Sequence, residues 1–293
     1  MSVGLVGAIL TWTISVFGIF GNCNIIVAIG RRKNLRSKCG CLIGTVAFYD
    51  AASLVFESLH AFQMAQGWVI SQRECFYVCV PYFVITTTQI WTVFCLAVDR
   101  LICIAMPARY RTTDIGPYLV ACTLPGIAIS VLFVFLAFFE LSDTRSDQCS
   151  PPQIFSENLR SWWSRTILAI NVLIIVTYAA VLVLIRGLSR KSRNEDSGNA
   201  ALRSHVRTQK AALRSISVVV VVFLSTWFMT QSMVFISTTF EAVGTWKYHH
   251  VIMTLAVRET GCGKQFYLIP NVLGDSSSLR FRSQPLCVSL AQF

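Results

Sequence analysis

Asp99 and Arg100 are the pair of residues in this sequence whose types and spacing best suit a conformational switch. They directly follow an uncharged stretch of 24 residues that begins at Cys75, so they lie at the end of an apolar segment. A guanidinium can pair with the carboxylate beside it, or it can reach into a helical bundle when the helix ends separate. The alternative is an anchor pair at a membrane surface.

Asn22, Asp50 and Gln89 are polar residues inside stretches that are otherwise apolar. A bilayer penalises such groups when they are unpaired. We therefore expect them to form a polar network in the core, and in its simplest version Asn22 and Gln89 hydrogen-bond to Asp50.

Long helices are needed to position these residues, and the sequence supplies apolar stretches of the required length. Five stretches carry no charge, namely 1–30, 75–98, 115–139, 166–185 and 215–240. Each reaches the roughly 20 residues that cross a hydrocarbon core. A sixth, 39–63, contains only two acidic residues. The sequence thus predicts an all-α multi-pass bundle over 1–240, with helices at about 3–30, 39–64, 75–99, 115–139, 163–186 and 212–240.

Basic residues concentrate in alternate connections of this bundle. Residues 31–38, 100–111 and 186–214 are rich in Lys and Arg, whereas 140–160 has more acidic residues than basic ones. The positive-inside rule places the basic connections inside and the N-terminus outside. Most of the net charge of +11 then reflects basic residues in the connections that set the orientation of the helices in the membrane. Nucleic acid is therefore not an expected partner.

Cys75 and Cys149 both fall on the predicted outer side, where an oxidising compartment preserves disulfides. We predict a disulfide between them. Most other cysteines lie inside apolar stretches, where they behave as small hydrophobic residues.

The sequence shows no set of residues typical of an enzyme, a cofactor site or a metal site. Cys39 and Cys41 have no matching second pair, and His249 and His250 stand apart from any cysteine cluster. The fragment 261–264 is too short for a phosphate-binding loop. We therefore expect no catalysis, no cofactor and no metal.

Taken together, the motifs resemble rhodopsin-like receptors, and more narrowly the nematode serpentine chemoreceptors of the Srsx class. The resemblance covers about residues 10–240. It rests on Gly21, Asn22, 35–39, Asp50, Cys75, Asp99, Arg100, Leu101, Pro107, Tyr110, Tyr178, Phe223 and Trp227.

The resemblance implies a seven-helix receptor in the plasma membrane of a sensory neuron, coupled to a heterotrimeric G protein through a groove that opens at the inner surface. The residues implied in activation and coupling are Asp99, Arg100, Leu101, Tyr178 and Trp227. In the family the equivalent of Asp50 can bind sodium. Here Gln89 is large enough to fill the ion's space, so sodium binding and a hydrogen-bonded carboxylate both stay open.

A ligand site is expected where the third, fifth and sixth helices converge toward the outside. Aromatic residues with a few polar groups suit a small-molecule or peptide ligand. Core packing is the alternative for each position, because aromatic residues at helical spacing usually pack. The candidates are Tyr82, Thr86, Glu57, His60, Trp227 and Gln231.

Residues 241–293 break the pattern. Extending the short apolar segment 251–257 to 273 places Arg258, Glu259 and Lys264 inside a span, and the motif that ends the seventh helix in the family is absent. We expect a degenerate or missing seventh helix followed by a tail.

Three functional hypotheses follow from the sequence. The first is a chemosensory G-protein-coupled receptor. The second is a receptor-derived membrane protein that no longer signals. The third, a transporter or membrane enzyme, is disfavoured because no internal repeat and no catalytic set is visible.

Overall fold

The computed structural model describes residues 3–66, 70–106, 110, 112–141, 145–146, 149 and 155–194. Within these residues the fold is an all-α bundle of five long helices, as the sequence predicts. The elements are α1 (Val3–Arg31), a 3₁₀ turn (Lys33–Leu35), α2 (Lys38–Gln66), β1 (Ile70–Ser71), α3 (Gln72–Ala105), α4 (Ile115–Phe139), β2 (Arg145–Ser146) and α5 (Glu157–Asn194). The helix expected at 212–240 and the region 241–293 lie outside the described residues.

All five helices are long and apolar enough to cross a membrane. Their outward faces are apolar as well: on α4, Val120, Leu124, Val131 and Phe135 are all more than half exposed. Water would penalise such a continuous apolar surface, whereas lipid does not. The chain is a multi-pass membrane protein.

The third helix, α3, is the centre of the bundle. Of its most apolar stretch, 61% is buried, against 17–33% in the other four helices. It packs against α2, α4 and α5, while α1 packs on α2. A residue on α3 can therefore contact three neighbouring helices, so α3 positions most of the candidate site residues.

Two helices begin earlier than the charge-free stretches indicate, and each has a capping residue that explains it. At the start of α3, the Ser71 hydroxyl accepts a hydrogen bond from the Glu74 backbone N–H, and the Glu74 carboxylate accepts one from the Ser71 N–H. At the start of α5, the Ser156 hydroxyl accepts from the Leu159 N–H at 3.3 Å. Capping stabilises a helical turn that also contains charged residues, so α5 starts at Glu157 rather than at the expected 163.

Close packing between α3 and α4 depends on a glycine. A Cβ placed on Gly126 would lie 2.9 Å from the Cβ of Trp91. Small residues let membrane helices approach closely. Gly126 thus fixes the distance between α4 and the central helix.

Candidate functional site

At the basic end of α3, Asp99 is fully buried and accepts hydrogen bonds from an arginine and two tyrosines. Arg100 donates to Oδ2 at 2.9 Å, and the hydroxyls of Tyr110 and Tyr118 each donate to Oδ1 at 2.9 Å. A buried carboxylate is tolerated when it is paired and hydrogen-bonded in this way. The Asp99–Arg100 pair is therefore part of the buried bundle, which argues against an anchor at the membrane surface.

Lys38 holds the same region from α2. It is buried, its ammonium group donates to the backbone carbonyl of Tyr110, and it lies 4.4 Å from the centre of the Tyr110 ring and 5.5 Å from that of Tyr118. Cation–π attraction and the hydrogen bond both hold Tyr110 in place. We name the set of Lys38, Asp99, Arg100, Tyr110 and Tyr118 the inner clamp.

Leu101 and Tyr178, two further residues predicted for activation, lie where α3 meets α5. Leu101 packs against Val181 and Ile185 of α5. Tyr178 packs in a cluster that includes Ala97 of α3, and its buried hydroxyl has no hydrogen-bond partner among the residues that the structure describes. Trp227, the other predicted activation residue, lies outside the described residues.

The predicted polar network forms in part. Gln89 donates a side-chain hydrogen bond to Asp50 across the α2–α3 interface. Asn22 does not join them: its amide donates to the Gly18 carbonyl at 3.0 Å, one turn back in α1. A short amide side chain in a helix can satisfy itself on its own backbone, which is why the expected Asn22–Asp50 hydrogen bond is absent.

Two of the predicted ligand-site residues meet between α2 and α3. The Tyr82 hydroxyl donates to Glu57 at 3.0 Å. Thr86, one turn further along α3, donates to the carbonyls of Tyr82 and Phe83 in its own helix. His60 lies one turn from Glu57 on α2 and contacts Cys79 and Gln63. Gln231, like Trp227, lies outside the described residues.

The predicted disulfide between Cys75 and Cys149 is present, with Cα atoms 5.5 Å apart. It ties the start of α3 to the connection between α4 and α5. Ligand-type atoms of His60, Cys79 and Cys149 lie within 4.8 Å of one another. Because the Cys149 sulfur is bonded to Cys75, it is not available as the thiolate that a metal site requires.

Sequence analysis did not identify Lys38, Tyr118 or Cys79 as site residues. Lys38 entered the predictions as a basic residue of the 31–38 connection and as part of the motif 35–39, but not as a residue of the site, although it directly precedes an apolar stretch. Tyr118 lies four residues into an uncharged stretch, where a hydroxyl needs a partner. Tyr118 also lies at the same membrane edge as Asp99. These two features of the sequence could have predicted that its hydroxyl contacts this carboxylate.

Comparison with known proteins identifies the family of this chain. The model of the serpentine seven-transmembrane G-protein-coupled chemoreceptor family Srsx matches residues 15–270. The chain belongs to the Srsx family. This Srsx chain is therefore a member of a receptor family and not an enzyme, as the sequence predicts.

Curated relatives of the Srsx chain are also receptors. It is 28% identical to the octopamine receptor beta-2R of Chilo suppressalis, over 64% of this chain and 50% of that receptor. It is 25% identical to the human adenosine receptor A2b, over 49% of this chain and 44% of that receptor. The human adenosine receptor A2a matches 33% of this chain at 26% identity. The chain thus spans about half, or less, of the length of these relatives.

Proposed function

We propose that this Srsx chain is a chemosensory receptor in the plasma membrane, with its N-terminus outside. It binds an extracellular small molecule or peptide and activates a heterotrimeric G protein at its inner surface. The inner clamp is the observation that carries this proposal, because it holds a buried arginine on its neighbouring carboxylate at the end of the central helix that adjoins basic connections.

In the proposed mechanism the clamp defines the closed state. Arg100 stays on Asp99 while Tyr110 and Tyr118 occupy the other carboxylate oxygen. Opening separates the inner helix ends, frees the guanidinium and exposes a groove for a helix of the G protein. The buried Tyr178 hydroxyl, to which no residue in the described part of the chain hydrogen-bonds, offers an acceptor for the freed guanidinium.

The proposed ligand site lies toward the opposite end of α3. Between α2 and α3 it contains the ring of Tyr82, the carboxylate of Glu57, the imidazole of His60 and the hydroxyl of Thr86. The sequence predicts that Trp227 and Gln231 complete the site. The relatives are named for octopamine and adenosine, two small molecules of different chemistry. They support a small-molecule ligand without identifying it.

Ligand-independent signalling tests the proposal before any ligand is known. We would express the chain with a panel of G proteins and measure guanine-nucleotide exchange, normalised to the amount of receptor at the cell surface. Basal exchange that rises in Asp99→Asn and disappears in Arg100→Ala supports coupling. A chain that reaches the surface but supports no exchange in any variant is a receptor scaffold that no longer signals.

A further inference from the structure

A third cysteine lies against the disulfide at the start of α3. The Cys79 sulfur is 3.5 Å from the sulfur of Cys149 and 3.9 Å from that of Cys75. Cys75 and Cys79 are four residues apart, so they share a face of α3, and both are 2% exposed. Of the seven free cysteines that the structure describes, Cys79 is the one whose sulfur contacts the disulfide.

We propose that Cys79 is a second disulfide partner for Cys149, so that this end of the bundle is a thiol–disulfide exchange site with two alternative pairings. The Cys79 thiol loses its proton, and the resulting thiolate forms a bond to the Cys149 sulfur. The Cys75–Cys149 bond breaks, and Cys75 leaves as a thiolate that takes up a proton. One disulfide and one thiol are present before and after the exchange, so no external oxidant or reductant is consumed.

His60 is placed to carry the proton. Its Nε2 lies 3.9 Å from the Cys79 sulfur. The thiolate is the attacking species in exchange, and an apolar burial site such as that of Cys79 disfavours its formation. A neutral imidazole beside the thiol offsets this, because it can accept the proton from Cys79 and return it to Cys75.

The exchange requires small movements of Cys79 and Cys149. Cys79 is almost equally far from both sulfurs, so it lies beside the disulfide bond rather than in line with it. Attack in line with the bond requires a rotation of the Cys79 side chain and a small shift of Cys149. Cys149 lies in a connection between helices rather than in a helix, so it can follow.

The exchange has a consequence for the proposed ligand site. Exchange moves the attachment point on α3 from Cys75 to Cys79, which is four residues or about 6 Å along the helix, while Cys149 shifts little because its sulfur already lies 3.5 Å from that of Cys79. The movement is toward Tyr82 and its hydrogen bond to Glu57. The pairing therefore sets which turn of α3 holds this connection, and the Cys79 pairing ties it to the turn next to Tyr82.

Disulfide mapping of the full chain tests the inference without any signalling assay. After expression in an oxidising compartment, free thiols are alkylated, the chain is digested and the peptides are identified by mass spectrometry. In Cys75→Ala we expect a Cys79–Cys149 disulfide. In the matched control Cys75→Ala/Cys95→Ala the same disulfide should persist, since Cys95 contacts the Cys122 carbonyl and not the disulfide. Alkylation of both Cys79 and Cys149 in a helical, membrane-inserted Cys75→Ala variant would overturn the proposal.

A second experiment uses the unmodified chain and applies even if the variants fail to fold. The purified protein is incubated in a glutathione buffer and then alkylated. Exchange exposes Cys75 alone and protects Cys79, whereas simple reduction exposes Cys75 and Cys149 together and leaves Cys79 free. We expect the first pattern, and the second alone would refute exchange. His60→Gln should slow the change by about tenfold or more, and an unchanged rate would remove His60 from the mechanism.

Discussion

Removing one tyrosine hydroxyl from the inner clamp should raise signalling in the absence of ligand. Tyr118→Phe keeps the aromatic ring but deletes the hydrogen bond to Asp99. Opening requires Arg100 to leave Asp99, and we expect the tyrosines to leave as α3 and α4 separate. The deletion then destabilises the closed state and leaves the open state unchanged.

The size of the effect follows from the type of bond. A hydrogen bond to a charged group contributes about 1.5–3 kcal/mol, and about 1.4 kcal/mol corresponds to a tenfold change in an equilibrium constant. The ratio of open to closed receptor should rise about tenfold to a hundredfold. If the open state is about 1% populated, Tyr118→Phe raises it to between about 10% and 50%.

The assay is nucleotide exchange on a co-expressed G protein, normalised to surface receptor. Tyr77→Phe is the matched control, since Tyr77 is 60% exposed near the opposite end of α3. We expect Tyr118→Phe to raise basal exchange, Tyr77→Phe to leave it unchanged, and Arg100→Ala to abolish it. Basal exchange equal to wild type in Tyr118→Phe, with Arg100→Ala still inactive, would show that the tyrosine hydroxyl does not distinguish the two states.

Three further predictions concern the bundle above the clamp. For a cationic small molecule that activates the chain in a ligand screen, Glu57→Gln, which keeps the shape of the side chain but removes its charge, should raise the concentration for half-maximal response by about tenfold or more and leave basal exchange unchanged; an unchanged concentration would exclude this carboxylate from the site. Gln89→Ala removes a donor from Asp50, so we expect a loss of about 1–3 kcal/mol, seen as a lower midpoint of thermal unfolding in detergent; an unaltered midpoint would mean that other groups satisfy the carboxylate. Gly126→Ala should lower that midpoint because the new methyl group must displace the tryptophan across the interface, at a cost of about 1–3 kcal/mol. Gly116→Ala on the same helix meets open space and should leave the midpoint unchanged or raise it, and equal effects of the two substitutions would contradict the packing argument.

The sequence predicted what depends on composition and on local order along the chain. Uncharged stretches of span length predict membrane helices because the bilayer imposes the same requirement on every one of them. The Cys75–Cys149 disulfide was predicted from the sidedness that the basic connections indicate. Helix ends were less predictable. Helix α5 begins at Glu157 because Ser156 caps it, and an uncharged stretch does not reveal a cap that lies among charged residues.

The inner clamp was only half predictable, and the reason is physical. Asp99 and Arg100 are neighbours in sequence, so their pairing is a local event. Tyr118 reaches Asp99 from α4, and Lys38 reaches the two tyrosines from α2. The rotation of each helix decides which of its polar residues turns inward at the membrane edge, and composition does not encode that rotation. A buried carboxylate with one cation beside it still needs further donors. That requirement predicts that additional donors must converge on Asp99. In this fold they are the hydroxyls of Tyr110 and Tyr118, and Lys38 holds Tyr110 in place through its backbone carbonyl.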